Sequence, residues 1–509
     1  MTKTTMPRSG SWGLKLSSEK DNSALPPARE VAIPDMLTVL LRQSAGAASI
    51  ATVAPGESVL KGQTIAMPAK TGFGSYLHSP VAGHVLEVRN GSRDAGGPVI
   101  VIKNDRSERL HPDCQPVRNP LNRSPRFLRE RIAAGGIVGL GGALFPTEVK
   151  LNPAPGIKTL IINGVECEPY INCDNQLLQE EPHAVLSGAQ IMLQVLGANE
   201  AIVAIEQEMT HAIECMLAAN TRLNDPRIRI VVVPDIYPGG GERQLIETLT
   251  GLQVPRGGLT ADLGIVCQNA GTAAAIDHLI TRGEPLISRL LTVAGNCSAA
   301  PANFRVRIGT PVSALVEAVA NTPPTRIVMG GAMMGIPVTD SEQPVSKATN
   351  CLLLLNNNAL TPMPTEMPCI RCGDCVPVCP AGINPQLLLE STVIRDVKQS
   401  KELGALDCID CGCCDYVCPS GIDLTARFKL SKQTIWEQHL LTLRAERLEQ
   451  RFAGHETRRL NKEQAERDRL AAQTAGFKDV STDSKPALDA MLKRLKSDRN
   501  KNSSDKAPD

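Results

Sequence analysis

Cys369-Ile-Arg-Cys372-Gly-Asp-Cys375-Val-Pro-Val-Cys379-Pro380 decides the fold of this chain's C-terminal third, and Cys408-Ile-Asp-Cys411-Gly-Cys413-Cys414-Asp-Tyr-Val-Cys418-Pro419 repeats it. Both copies carry the spacing C-x2-C-x2-C-x3-C-P. The short gaps let three thiolates converge on one face of an iron–sulfur cubane. The fourth cysteine, carried onward by the chain, reaches the other cluster, and the proline helps turn the backbone away. The spacing assigns Cys369, Cys372, Cys375 and Cys418 to one 4Fe–4S cluster, and Cys379, Cys408, Cys411 and Cys414 to a second. Structural zinc sites need only four Cys or His ligands at looser spacing, unlike two complete copies of this motif. Cys413 reads as a small buried residue beside a cluster. Neighbouring clusters imply electron transfer, so this ferredoxin-like module, read over 360–425, needs an electron donor elsewhere in the chain.

Nine of the sixteen cysteines fall in that window, and Met1 to Lys20 lacks the apolar stretch of a signal peptide, so a disulfide framework is not the reading. A length of 509 residues exceeds one compact core and implies about three or four domains. A net charge of +1 and an aromatic content of 3% argue against nucleic-acid binding. No segment reaches the roughly 18 apolar residues of a membrane helix. A cytoplasmic location is therefore expected.

Residues 1–120 read as short strands punctuated by Pro and Gly. Val53–Ala66 and His78–Val88 each join a turn to an alternating strand, and together resemble the barrel-sandwich fold of biotinyl and lipoyl domains. Lys70, at the place of those carriers' modified lysine, lacks the attachment motif, so a structural β domain is expected. Residues 125–290 alternate strands (158–162, 201–205, 228–233) with helices (182–196, 242–250, 272–280), an α/β layer pattern. Strands around Leu290–Ala294 and Arg326–Met329 flank a short helix at Val312–Val319 and predict a small β-grasp-like domain over 291–355. Alternating charge over 431–475 predicts a solvated helix, and the polar stretch 476–509 predicts a disordered tail. The fold class is multidomain α/β and α+β.

Four polar, Gly-rich loops recur in the α/β region. Gly139-Leu-Gly141-Gly142-Ala-Leu144-Phe145-Pro-Thr-Glu-Val-Lys150 offers backbone N–H groups to a phosphate, with a lysine to add charge. The others are Asn163-Gly-Val165-Glu166-Cys-Glu168, Tyr237-Pro-Gly-Gly-Gly-Glu242-Arg243 and Val266-Cys-Gln-Asn269-Ala-Gly-Thr272. Together, at strand ends of one domain, they predict a nucleotide or flavin pocket.

In combination these motifs resemble the RnfC family, a component of the Rnf (Rsx) electron-transport complex, over roughly residues 10–455. The α/β domain is similar to the NADH-binding flavoprotein subunit of respiratory complex I. The resemblance implies that Gly139, Gly141, Gly142 and Lys150 hold the FMN phosphate or NADH, and that Phe145 stacks on the adenine. It implies that Asn163, Glu166 and Glu168 border the flavin, that Glu242 borders NADH, and that Asn269 and Thr272 lie on the FMN phosphate side. It also implies a soluble-ligand-binding β-grasp domain at 291–355. Two positions depart from the complex I pattern: Val165 stands for an Asp, and Leu144 for the Gly of Ala-Gly-Phe-Pro-Thr. A leucine where φ must be positive is costly, so weakened NADH binding is expected.

The function implied is that of a peripheral subunit on the cytoplasmic face of the bacterial inner membrane. It would belong to an ion-translocating NADH:ferredoxin-type oxidoreductase, a translocase. Electrons would pass between NADH, FMN and the two clusters, then to membrane subunits of the complex and a ferredoxin-type carrier. The alternative is an electron-carrier and docking subunit with a degenerate NADH site, which Leu144 favours.

Overall fold

The computed structural model describes residues 3–4, 12–20, 25–70, 72–89, 97–153, 156–299, 301–357, 365–475 and 485–501. It forms two compact units, Met1–Lys432 and Gln433–Asp509.

Period-two alternation builds the N-terminal domain: along Met36–Leu40, Leu37 and Val39 turn inward while Met36 stays exposed. A four-stranded antiparallel sheet runs in the order Met36–Leu40, Val99–Asn104, Gly83–Arg89, Ser58–Val59. A three-stranded sheet holds Ile50–Ala51, Thr64–Met67 and Leu77–His78. The two sheets share one core of Leu37, Ile65, Val85, Ile100 and Ile102. Lys70 sits exposed in the hairpin between Thr64–Met67 and Leu77–His78.

The α/β domain has a parallel sheet in the order Lys3–Thr4, Ile228–Val233, Glu200–Glu206, Thr159–Gly164, Ile265–Asn269. Parallel strands covered on both faces need continuous apolar runs, which Leu160-Ile161-Ile162 and Ala201–Ile205 supply. Helices Pro125–Ala134, Pro182–Leu196, Thr210–Leu223 and Ala270–Asp277 share a core on one face, and Glu242–Thr250 packs on the other. Two of these helices nearly touch: a Cβ on Gly188 would lie 1.9 Å from the Ala273 carbonyl oxygen. Strand order steps one way from Thr159–Gly164 to Ile228–Val233, then reverses for Ile265–Asn269. The loops after Thr159–Gly164 and Ile265–Asn269 therefore part at a topological switch point, where such sheets bind ligands. The sequence reading makes Val266–Thr272 a loop; the structure makes it the end of a strand and the start of a helix. Its polar Gln268-Asn269 end mimics a turn, but Thr159↔Ile265 pairing continues to Asn163↔Asn269.

A mixed sheet follows, in the order Ile336–Pro337, Arg326–Met329, Cys351–Leu355, Ser288–Ala294, Ala302–Arg307, Arg29–Glu30. Helix Val312–Val319 packs on it through Val312 and Leu315. Two boundaries move: Ser288–Ala294 begins before 291, and Arg29–Glu30 joins this sheet beside Phe304–Arg305 although the sequence reading gives 1–120 to the barrel domain.

A single helix runs Leu424–Ala475. A second, Lys485–Lys501, contradicts the disordered tail. Leu488, Met491, Leu492 and Leu495 recur there at helical spacing among strong helix formers, a periodicity that the polar composition conceals. The rest of that tail, 476–484 and 502–509, lies outside the described residues. No helix among the described residues is long and apolar enough to cross a membrane.

Candidate functional site

The eight motif cysteines gather around two small cavities. Cys369, Cys372, Cys375 and Cys418 line one, with Leu389, Ile422 and Leu424. Cys379, Cys408, Cys411 and Cys414 line the other, with Ile383 and Phe428. In each, three thiols come from one copy of the motif and the fourth from the other, as the spacing requires. Four thiols within apolar walls fit an iron–sulfur cubane. Cys413 lies fully buried at the second cavity. The cavities differ in exposure: Cys369 and Cys372 face solvent, whereas Cys411 and Cys414 are buried. The second cavity meets the α/β domain. The Tyr237 hydroxyl donates to the Cys411 carbonyl at 2.6 Å, and Gln244 Nε2 donates to the Pro380 carbonyl at 3.1 Å.

The Gly139–Phe145 loop closes on itself. Gly139 N–H donates to the Phe145 carbonyl at 2.9 Å, and Leu144 N–H donates to the Gly139 carbonyl at 3.2 Å. Gly142 has φ 103°, and a Cβ there would meet nothing within 4 Å among the described residues. Such bare backbone is a cradle for a phosphate. Leu140 N–H donates to Thr272 Oγ1 at 2.9 Å, and Thr272 is fully buried. Thr272 thus helps to shape the loop.

Leu144 adopts φ 50°, the left-handed geometry a glycine would take. Its side chain packs against the α/β core, and its carbonyl accepts from Ala45 N–H at 2.9 Å. The leucine therefore adopts the turn geometry expected of a glycine, with its side chain against the core. The fold holds the turn open at a cost of about 1–2 kcal/mol. Leu144→Gly should relieve that strain while losing the packing, and leave the NADH concentration for half-maximal flavin reduction within about twofold of wild type. A larger shift in either direction would show that the leucine side chain itself governs the pocket.

At the strand ends, Asn163 Nδ2 donates to the Gly240 carbonyl at 2.8 Å, joining two of the loops. Glu166 is buried, and its carboxylate accepts from Asp174 N–H at 2.9 Å and Asn175 N–H at 3.1 Å. It serves the N-terminus of helix Cys173–Glu180, where a negative charge is favourable. Burial, with Glu166 beside it, pushes the Asp174 carboxyl well above the usual range. Asn269 Nδ2 donates to Asp174 at 2.6 Å, and Asn269 Oδ1 accepts from Gly271 N–H at 2.8 Å. Glu168 accepts from Met333 N–H and Met334 N–H, both at 2.8 Å, clasping the mixed-sheet domain. Lys150 and Glu242 form a 2.9 Å ion pair. Gln268 Nε2 is buried without a partner among the described residues. A bare glycine loop, a lysine and a spare buried donor suit an anionic, acceptor-rich ligand such as FMN.

Sequence reasoning gave no role to Tyr237, Gln268 or Lys20. Lys20 Nζ donates to the backbone carbonyls of Glu166, of Ile171 at 3.1 Å and of Glu168 at 3.4 Å. Nothing in its local sequence signals this.

Family models match three parts of the chain: the RnfC barrel sandwich hybrid domain over residues 10–107, the Nuo51 FMN-binding domain over 132–278, and a 4Fe–4S dicluster domain over 368–422. The RnfC-type component of the ion-translocating oxidoreductase complex of Pseudomonas aeruginosa is 43% identical over 457 residues, 88% of this chain and 58% of the relative. The chain thus spans under two thirds of that relative's length. The corresponding component of the Rhodobacter capsulatus complex is 39% identical over 399 residues, covering 77% of this chain and 75% of the relative. Among solved structures, an NAD+-reducing NiFe hydrogenase in the H2-reduced state matches with a TM-score of 0.44 at 20% identity, over 63% of this chain and 64% of that one. By its likeness to the Rhodobacter protein, and by a barrel sandwich, flavin domain and dicluster module in the same order, the chain belongs to the RnfC family of ion-translocating oxidoreductase complex subunits.

Proposed function

We propose that the chain is the NADH-oxidising peripheral subunit of such a complex, with FMN and NADH at the switch point and two 4Fe–4S clusters as its relay. Its electrons pass to membrane subunits and a ferredoxin-type carrier at the cytoplasmic face of the inner membrane. One observation carries this reading: the α/β domain's Tyr237 loop bonds directly to the backbone of Cys411, a ligand of the second cluster. Bound FMN supplies hydride acceptance and one-electron release.

The protein supplies positioning. Gly139, Gly141, Gly142 and Lys150 hold the phosphate, and Phe145 stacks on the adenine. Asn163 ties the loop after its strand to Gly240. Glu242, through its pair with Lys150, lines the NADH side. Glu168 locks the mixed-sheet domain, read as the soluble-ligand-binding β-grasp domain, beside the flavin, and Asn269 fixes Asp174. The Cys379, Cys408, Cys411 and Cys414 set, of which Cys411 and Cys414 are buried, receives electrons, and the set containing exposed Cys369 and Cys372 hands them on.

The test is an anaerobic absorption titration of reconstituted protein. NADH should bleach the flavin bands and then the cluster absorbance. Protein that holds flavin but is not bleached by NADH would instead serve for electron carriage and docking alone. Leu144, in its glycine-like geometry, does not favour that alternative.

A further inference from the structure

The second cluster site carries a charge pattern that its motif does not explain. Asp410 Oδ1 lies 3.6 Å from the Cys408 sulfur, and Asp415 Oδ1 lies 3.7 Å from the Cys414 sulfur. Two carboxylates thus stand beside two of the four ligands. A cluster gains negative charge when it takes up an electron, so each carboxylate opposes its reduction.

One cation answers them. Helix Leu424–Ala475 begins along the cavity, with Thr425 and Phe428 in its wall. Lys432 stands one turn beyond Phe428 on the same face. Its Nζ donates to the Cys408 carbonyl and to Asp410 Oδ1, both at 2.7 Å. The same carboxylate oxygen therefore touches a ligand sulfur and the ammonium. The Lys432 side chain is 18% exposed and that of Asp410 25%, so salt screens the pair little. A neutral amide could make hydrogen bonds of this kind. Only a cation also offsets the carboxylates.

We propose that Lys432 tunes the second cluster, raising its reduction potential in the direction that favours accepting an electron. It acts through its charge on Cys408 and Asp410 and touches no reacting atom, so it is a positioning residue. The inference rests on the cluster ligands and holds whatever the electron donor is.

The experiment is an anaerobic potentiometric titration of the reconstituted full chain, followed by low-temperature electron paramagnetic resonance. It compares wild type, Lys432→Gln, Lys432→Arg and Asp410→Asn, and Cys375→Ala identifies which midpoint belongs to the second cluster. Lys432→Gln should lower that midpoint by about 59 mV, a tenfold change in the one-electron equilibrium. The first cluster's midpoint and the iron content should not change, and Lys432→Arg should stay near wild type. Asp410→Asn should raise the second midpoint. Asparagine tolerates the left-handed backbone that Asp410 adopts at φ 57°. A second midpoint unmoved or raised by Lys432→Gln would overturn the proposal, as would equal shifts at both clusters. Lys432→Arg behaving like Lys432→Gln would overturn it too, because the charge would then not be the cause. If Lys432→Gln does not hold the second cluster, Asp410→Asn decides alone, and a midpoint unchanged or lowered there refutes the tuning.

Discussion

Anaerobically reconstituted protein should carry about eight irons per chain, and Cys375→Ala about four, with the spectrum of one cluster lost and that of the other kept. The two sets of four thiols line separate cavities, so losing one ligand should empty its own site only. The surviving set of Cys379, Cys408, Cys411 and Cys414 adjoins Tyr237, so NADH should still reduce it in the variant. Onward transfer to an external acceptor should fall to background. A wild-type iron content of about four, or loss of all iron from Cys375→Ala, would refute two independent clusters.

Glu206→Gln should remove most of a pH dependence from the stability of the α/β domain. Glu206 ends its strand almost wholly buried, with Oε1 unpartnered among the described residues. Burial pushes its carboxyl up to about 8. Asp235 and Glu166 add to the rise, whereas Lys20 and a hydrogen bond from the Glu166 backbone oppose it. Cys167 lies close enough to feel its charge. A folded value above the unfolded one means that the folded state binds the proton more tightly. The stabilisation is complete below the ordinary value of 4.5 and is lost as pH rises towards 8. Wild type should therefore lose of the order of 3 kcal/mol relative to Glu206→Gln between pH 5 and pH 8.5. Denaturant titrations followed by flavin release across that range would measure the difference. A difference that stays constant with pH would show that Glu206 ionises normally.

What the sequence revealed depended on how local the cause was. Cluster ligands are set by gaps of two and three residues, and the two cavities hold the sets that the spacing assigns. Apolar runs marked Thr159–Gly164, Glu200–Glu206 and Ile228–Val233, because a doubly covered strand has no polar face. Ile265–Asn269 escaped because its last two residues, Gln268 and Asn269, are polar. Resemblance placed Glu166 and Thr272 near the ligand, and only the structure shows that their side chains also serve a helix end and a loop. Chemical type alone cannot separate a residue that touches a ligand from one that shapes its surroundings. Lys20 was illegible for a different reason: its partners lie far along the chain.

The N-terminal segment also bears on the order of synthesis. The Met36–Asn104 barrel pairs strands only within itself and can close soon after it leaves the ribosome. Arg29–Glu30 must wait for Phe304–Arg305, and Gly13 for Val378, whose carbonyl accepts its N–H at 3.0 Å. Leu14 pairs meanwhile with Tyr237. Lys20 can settle once Glu166–Ile171 has emerged, but Gly13 cannot complete its contacts until the first cysteine motif is out. The start of the chain is thus tied down in stages, its last contact waiting for a residue beside a cluster ligand.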